Sequence, residues 1–174
     1  MPDSTAPANR IRIAPADLAD DRDAAALLEL LRAFAREPVS GGRDLPEDVQ
    51  ARLIDGLRRH PVSRNWIAWD DDPTQDGPAP VGCAICQIGF STFLAAPTLN
   101  LHDLFVLGSH RDRGVGRLLM DAVHEAAQDL GCGKVTLEVA RENVAGQRFY
   151  RRLGYGDGKD PDGGDGVWFW SRRT

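Results

Sequence analysis

Residues 101–119 read LHDLFVLGSHRDRGVGRLL, and they are the most informative segment of the chain. An apolar segment from Leu99 to Leu107 predicts a strand, and an amphipathic helix is predicted over 114–130. Between them, Gly114 and Gly116 allow several backbone N–H groups to converge on one point. The positive end of the helix dipole reaches the same point, and three basic side chains add charge there: Arg111, Arg113 and Arg117. The stretch therefore predicts a cradle for a pyrophosphate, and with it a nucleotide-bearing cofactor.

Two common phosphate-binding loops fit this stretch poorly. A nucleoside triphosphate loop needs Gly-Lys-Ser/Thr after its glycines, and none follows here. The dinucleotide pattern GxGxxG places Leu119 at its third glycine, and His102 and Asp103 interrupt a strand that is usually apolar throughout. A dinucleotide-dependent oxidoreductase is therefore a distant alternative.

The stretch resembles the pyrophosphate loop of the GNAT superfamily of N-acetyltransferases, which bind acetyl-coenzyme A. The family pattern is Arg/Gln-x-x-Gly-x-Gly/Ala, after a strand that ends in a sequence such as Asp-Leu-x-Val. Here Asp103-Leu104-Phe105-Val106 precedes Arg111-x-x-Gly114-x-Gly116. Many members have glycine directly after the arginine, where this chain has Asp112. We expect its side chain to face solvent, because its charge would oppose a phosphate.

A second block, GKVTLEVARENVAGQRFYRRLGY at 133–155, resembles the same family. Alternating apolar residues predict a strand over 135–139, Asn143 stands at a helix N-cap position, and Gly154 is placed to end that helix. The family carries Asn-x-x-Ala-x-x-Phe-Tyr-x-x-x-Gly-Phe/Tyr here, and Phe149-Tyr150 and Gly154-Tyr155 agree with it. Its small residue is represented by Ala145 and Gly146.

Length and composition set broad limits on the protein. The 174 residues predict a single domain over 10–174, after a short disordered tail over 1–9. A net charge of −5 argues against a nucleic-acid partner, and there is no apolar run long enough to span a membrane. The first residues lack a secretory signal, and three cysteines favour a reducing compartment. We expect a cytoplasmic protein.

The predicted elements follow the order β-α-α-β-β-β-α-β-α-β. The first helix is predicted over 16–36 and the second over 46–60. With the resemblance, this order implies a mixed α/β fold of the GNAT type: a central, mostly antiparallel sheet that is splayed at a bulge, with helices on both faces. Cys83 and Cys86 form a lone CxxC pair in a predicted strand. Residues three apart in a strand point to opposite faces, so we expect no metal there.

The resemblance also implies the layout of the site. The pantetheine arm would lie beside Leu104, Phe105 and Val106 as an added strand, and the N–H of Val106 would bond the thioester oxygen. Asn143 would bond the pantetheine arm, cap its helix, or do both. Tyr150 would contact the cofactor and protonate the leaving thiolate as general acid. The pyrophosphate would lie against Arg111, Asp112, Arg113, Gly114, Val115, Gly116 and Arg117.

The general base stays open between two neighbouring residues. In the polyamine branch of the family this strand reads Leu-Glu-Asp-Phe-Phe-Val, so His102 takes the place of the glutamate and Asp103 matches the aspartate. Regular alternation groups His102 with Leu104 and Val106, and Asp103 with Phe105, unless a bulge alters it. An amine whose pKa is lowered in the pocket would need no strong base.

These residues predict an acetyl-CoA-dependent N-acetyltransferase without a metal, in which a primary amine attacks the thioester directly. The acceptor is a small-molecule or protein amine, and acidic residues such as Asp44 are candidates to attract it. The segment 156–166 is predicted to be a hairpin loop at the acceptor pocket, where a homodimer partner could also lie. A non-catalytic coenzyme A sensor with the same fold is the alternative.

Overall fold

A computed structural model describes residues 10–72, 74, 76–156 and 167–173. The predicted tail 1–9 and nearly all of the predicted hairpin loop 156–166 lie outside the described residues. No helix within the described ranges is long and apolar enough to cross a membrane. The helices and strands are β1 (Ile11–Pro15), α1 (Asp21–Ala35), α2 (Glu47–Arg58), β2 (Ser63–Asp70), β3 (Ala79–Ser91), β4 (Ala96–Val106), α3 (Val115–Asp129), β5 (Lys134–Ala140), α4 (Val144–Arg152) and β6 (Val167–Arg173).

The predicted order of elements is confirmed, but the predicted start of the first helix is wrong. α1 begins at Asp21 rather than at residue 16. The carboxylate of Asp20 accepts hydrogen bonds from the N–H groups of Arg22 and Asp23, which makes it the N-cap. Asp17 accepts from the N–H of Ala19 and holds the preceding residues in a turn.

The strands form one six-stranded sheet in chain order, with a core on each face. The buried side of α3, including Leu119 and Met120, packs on one face. The buried side of α1, including Leu27 and Leu30, packs on the other, where α2 also contributes. Cys86 belongs to the first core and Cys83 to the second, so the predicted opposite orientation of the two thiols is confirmed.

The sheet is mixed and mostly antiparallel, as predicted. The pairing of β4 with β5 is parallel, and the other four neighbouring pairs are antiparallel. Register between β4 and β5 extends from Thr98 opposite Lys134 to Leu101 opposite Leu137, and there it ends. Beyond Leu101 the two strands part, and we call the gap between them the wedge.

Candidate active site

A β-bulge in β4 places the predicted catalytic residues at the start of the wedge. Leu101 is opposite Cys86 and Asp103 is opposite Ile85, so His102 is the extra residue. Leu101 and Leu104 both pack against the α3 core although they are three residues apart. Asp103 shares the α1 face with Phe105, as predicted, because their partners on β3 belong to that core. His102 is exposed.

The backbone of β4 presents unpaired groups to the wedge. The N–H of Leu107 donates to the carbonyl of Val81 on β3, 2.9 Å away. Alternate residues of an antiparallel strand bond to the same neighbour, so Phe105 and Asp103 also direct their main-chain groups at β3. The N–H groups of Leu104 and Val106 therefore point into the wedge.

A cavity of about 650 Å³ lies between the end of β4, the loop before α3, and α4. Ten of the predicted site residues line it, while Phe105, Arg113, His102 and Asp103 do not. The lining residues are Leu104, Val106, His110, Arg111, Asp112, Gly114, Val115, Gly116, Arg117, Asn143, Ala145, Gly146, Phe149, Tyr150, Arg152 and Leu153. The volume lies within the usual range for small-molecule sites.

The loop before α3 leaves the first N–H groups of that helix without an intrahelical partner. Gly114 is the N-cap at a φ of 83°, and no side chain caps the helix. Asp112 is exposed and has a φ of 59°, a conformation that aspartate tolerates better than most residues. A Cβ on Gly116 would lie 3.4 Å from the ring of Phe149. The loop therefore needs glycine at 114 for its positive φ, whereas a Cβ at 116 would come into van der Waals contact with Phe149.

Tyr150 presents a protonated phenol to the cavity. Its ring packs edge-on against those of Phe149 and Tyr155, with centroids 5.3 Å and 6.0 Å away. Burial, with smaller electrostatic contributions from Asp103 and Cys86, raises the pKa of the Tyr150 hydroxyl well above its usual range. Among the described residues, none hydrogen-bonds this hydroxyl, so it is able to donate to a bound group.

Comparison with known proteins identifies the fold. A family model described as the acetyltransferase (GNAT) family matches residues 25–155. The chain belongs to the GNAT acetyltransferase family. It is therefore an acyltransferase, and the dinucleotide-dependent alternative is set aside.

Individual proteins agree with this assignment. The thialysine N-epsilon-acetyltransferase of Bos taurus is 27% identical over 148 residues, which cover 83% of this chain and 85% of that protein. The streptothricin acetyltransferase of Streptomyces lavendulae is 37% identical over 57 residues, 33% of this chain and 30% of that protein. A chain in the crystal structure of the NatC complex bound to Gag peptide and CoA has a TM-score of 0.71 at 18% identity, covering 95% of this chain and 99% of that chain, and it shares the fold.

In this GNAT acetyltransferase, Asp103 is a half-buried carboxyl group with altered acidity. Burial raises the pKa of Asp103, and the nearby charge of His102 opposes that effect. A raised pKa makes the carboxylate a stronger base. Asp103 does not line the cavity, because it is on the α1 face of the sheet together with Phe105.

Asn143 caps α4, as predicted. Its Oδ1 accepts from the N–H of Gly146 at 2.9 Å, and the residue also lines the cavity. A Cβ on Gly146 would lie 2.7 Å from Nδ2 of Asn143, which explains a glycine at this position. Sequence reasoning missed Gln147, which is buried and donates to the carbonyls of Ala140 and Arg141, thereby tying α4 to the end of β5.

Two of the three predicted phosphate-loop arginines form ion pairs with carboxylates. Nη2 of Arg111 lies 2.7 Å from Oε1 of Glu37, and Arg117 pairs with Asp121 one turn along α3. Arg113 does not line the cavity, whereas Arg152 of α4 does, and sequence reasoning did not select Arg152. The one sequence feature that could have indicated Arg152 is its position three residues before Tyr155, which ends the 133–155 block.

The acidic residue Asp44 does not present a free charge to an amine. Arg32 and Arg36 both hydrogen-bond its carboxylate, and they hold the pKa of Asp44 well below its usual range. The expectation that Asp44 attracts a cationic acceptor is therefore weakened, because the two arginines already neutralise it.

Proposed function

We propose that this chain transfers an acetyl group from acetyl-CoA to a small-molecule primary amine, by direct attack of the amine on the thioester. The observation that carries the proposal is the wedge. β4 separates from β5 after Leu101, which leaves the N–H groups of Leu104 and Val106 without a strand partner. These groups face the cavity, and the N-terminus of α3 lines the same cavity.

The residues around the cavity suit each part of acetyl-CoA. The first N–H groups of α3 would bind the pyrophosphate together with the backbone of 111–116, since both present donors at the positive end of a helix dipole. The amide groups of the pantetheine arm would pair with the main chain of Leu104 to Val106. Phe105 would contribute only by spacing Leu104 and Val106, because its main-chain groups face β3 and its side chain is buried in the α1 core.

The reaction forms a C–N bond and breaks a C–S bond. The N–H of Val106 would stabilise the negative charge that develops on the thioester oxygen. Asp103, or the exposed His102, would take the proton lost by the amine, directly or through water. The Tyr150 hydroxyl would hydrogen-bond the departing sulfur and supply its proton.

Direct attack is favoured over a covalent acetyl-enzyme by the state of the β3 thiols. Cys83 and Cys86 are fully buried, and burial raises the pKa of both thiols well above the usual range. A thiol that stays protonated is a poor nucleophile toward a thioester.

A small primary amine as acceptor is supported by the thialysine acetyltransferase, because its match extends over most of both chains. Protein amines are the competing acceptors. The cytoplasmic location and the homodimer expected from the sequence also stay predictions, and light scattering would test the second.

Isothermal titration with acetyl-CoA and an assay of coenzyme A release test this function. We expect micromolar to low-millimolar binding, and turnover on at least one of lysine, ornithine, spermidine, an aminoglycoside or a lysine-containing peptide. Turnover on the peptide alone would make the acceptor a protein. Binding without turnover on any amine would replace the enzyme by a coenzyme A sensor, and absence of binding would rule out both.

A further inference from the structure

We propose that the Arg111 side chain is a positioning element that ties the cofactor loop to the acceptor side of the sheet, and that it does not ligate the pyrophosphate. This inference rests on the proposed function. Only the side chain is concerned, because the backbone of Arg111 still belongs to the loop that would cradle the phosphates.

The guanidinium group of Arg111 is already engaged at two sites. Nη2 lies 2.7 Å from Oε1 of Glu37, and Nε donates to the carbonyl of Val106 at 3.1 Å. The N–H of the same peptide unit, on Leu107, donates to Val81, so this peptide is held at both ends. Arg111 therefore fixes the orientation of Val106, whose N–H faces the wedge.

An aromatic contact lies beside the ion pair. Phe34, near the end of α1, packs against Phe105 with ring centroids 5.4 Å apart. The guanidinium carbon of Arg111 is 6.0 Å from the centre of the Phe105 ring. Glu37 is anchored to the same helix end, because its N–H donates to the carbonyl of Phe34. These four residues, Phe34, Glu37, Phe105 and Arg111, form what we call the clasp.

The clasp lies on the face of the sheet where the amine would arrive. Phe105 shares this face with Asp103, and residues two apart in a strand are separated by about 6–7 Å. The end of α1 and Glu37 therefore form a wall near the candidate base, and Arg111 sets the distance between that wall and the end of β4. A change in the clasp would move the acceptor relative to the thioester.

The alternative, in which Arg111 ligates the pyrophosphate, makes the opposite prediction for Glu37. A phosphate would then have to compete with the Glu37 carboxylate for the guanidinium group. Removal of the Glu37 charge would release Arg111 and tighten acetyl-CoA binding. If the clasp is a positioning element, removal of that charge leaves acetyl-CoA binding unchanged and impairs use of the acceptor.

The test compares Glu37→Gln, Arg111→Gln and the double variant by acetyl-CoA titration and by steady-state kinetics with the best amine. We expect each variant to raise the acceptor KM or lower kcat about two- to fivefold, the range that a part-exposed ion pair supports. The acetyl-CoA Kd should stay within about twofold of wild type. The double variant should be no worse than the single ones, because both remove the same interaction.

Tighter acetyl-CoA binding by Glu37→Gln would overturn the inference, as would a tenfold loss of acetyl-CoA affinity in Arg111→Gln that Glu37→Gln does not share. Additive effects in the double variant would also contradict it. If Arg111→Gln does not fold, Glu37→Gln alone distinguishes the two roles by the sign of its effect on Kd. Failure of the proposed function is seen separately, as absence of turnover in the wild type, and the Kd comparison then still tests Arg111.

Discussion

The carboxylate of Asp70, at the end of β2, lies 3.1 Å from Nε2 of His110 in the loop that leads to α3. Asp70 is buried and also pairs with Nε of Arg10 at 2.9 Å, while Nδ1 of His110 contacts the hydroxyl of Ser109 at 2.9 Å. This carboxylate therefore connects the residue that precedes β1 to the wall of the cavity that His110 lines.

Replacement of Asp70 should destabilise the protein. Asp70→Ala leaves His110 and Arg10 without their buried acceptor, and we expect the free energy of unfolding to fall by about 1–3 kcal/mol. Asp71→Ala is the matched control, because Asp71 pairs with Arg12 at the surface and should cost less than about 1 kcal/mol. Urea denaturation measures both, and equal losses would contradict a special role for the buried carboxylate.

Removal of the Tyr150 hydroxyl should separate binding from turnover. Tyr150→Phe keeps the ring, so acetyl-CoA should bind normally while kcat falls by about 10²–10⁴-fold. Tyr155→Phe is the control, since its hydroxyl contacts His124 at 2.8 Å and its loss should affect stability more than chemistry. Because the pKa of Tyr150 is raised, the wild-type rate should show no decline from its ionisation up to pH 10. Comparable kcat values in the two variants would exclude Tyr150 as the acid.

Asp103 should contribute to activity and reduce stability. Burial raises its pKa, so the folded protein binds this proton more tightly than the unfolded chain does. The contribution of Asp103 to the free energy of unfolding is therefore lost as the pH rises through its pKa in the folded protein, and it is regained as the pH falls. We expect Asp103→Asn to lower kcat/KM while the free energy of unfolding at pH 7 is unchanged or higher. A clear loss of stability at pH 7 would show that the carboxylate is structural.

The pH dependence of a His102 variant tests the other candidate base. If His102 is the base, His102→Gln should cost more activity at pH 7 than at high pH, where solution deprotonates the amine. A deficit that is constant across the pH range, together with a pH-dependent deficit in Asp103→Asn, would assign the base to Asp103. Steady-state kinetics between pH 6 and pH 10 distinguish these outcomes.

A charged side chain at Gly116 should abolish acetyl-CoA binding. The position already lies against Phe149, so Gly116→Glu would direct its side chain into the space needed by the pyrophosphate. The loss of two hydrogen bonds to a charged group costs about 3–6 kcal/mol, which is at least a hundredfold in affinity. Gly56→Ala in α2 is the control, because its Cβ meets open space. Titration would refute this placement of the phosphates if Gly116→Glu bound with near-normal affinity.

Local sequence signals predicted much of the fold. The order of elements, the Asn143 cap and the opposite faces of Cys83 and Cys86 follow from spacing within short segments. The start of α1 does not follow from sequence, because an apolar stripe does not reveal that Asp20 caps the helix. The position of the bulge at His102 was not evident either, since a bulge depends on the register with β3 rather than on β4 alone.

Contacts between residues far apart in the chain could not be predicted, for a different reason. The charges of Arg111 and Arg117 indicate a phosphate site, but nothing near them in sequence identifies Glu37 as a partner of Arg111. Likewise, nothing near His110 in the sequence identifies its partner, Asp70 at the end of β2. A single sequence shows which residues are charged but not which charges neutralise each other.

The parting of β4 from β5 has a consequence for the behaviour of the chain at high concentration. An open strand edge accepts a strand from any extended polypeptide, and natural sheets usually protect their edges for that reason. Here such an edge lies inside the sheet, along Leu104 to Val106. We expect a ligand that pairs with this edge to slow amide hydrogen exchange at these residues and to block strand addition by a second molecule. Without such a ligand, the same stretch of backbone would be open to strand addition by a second molecule.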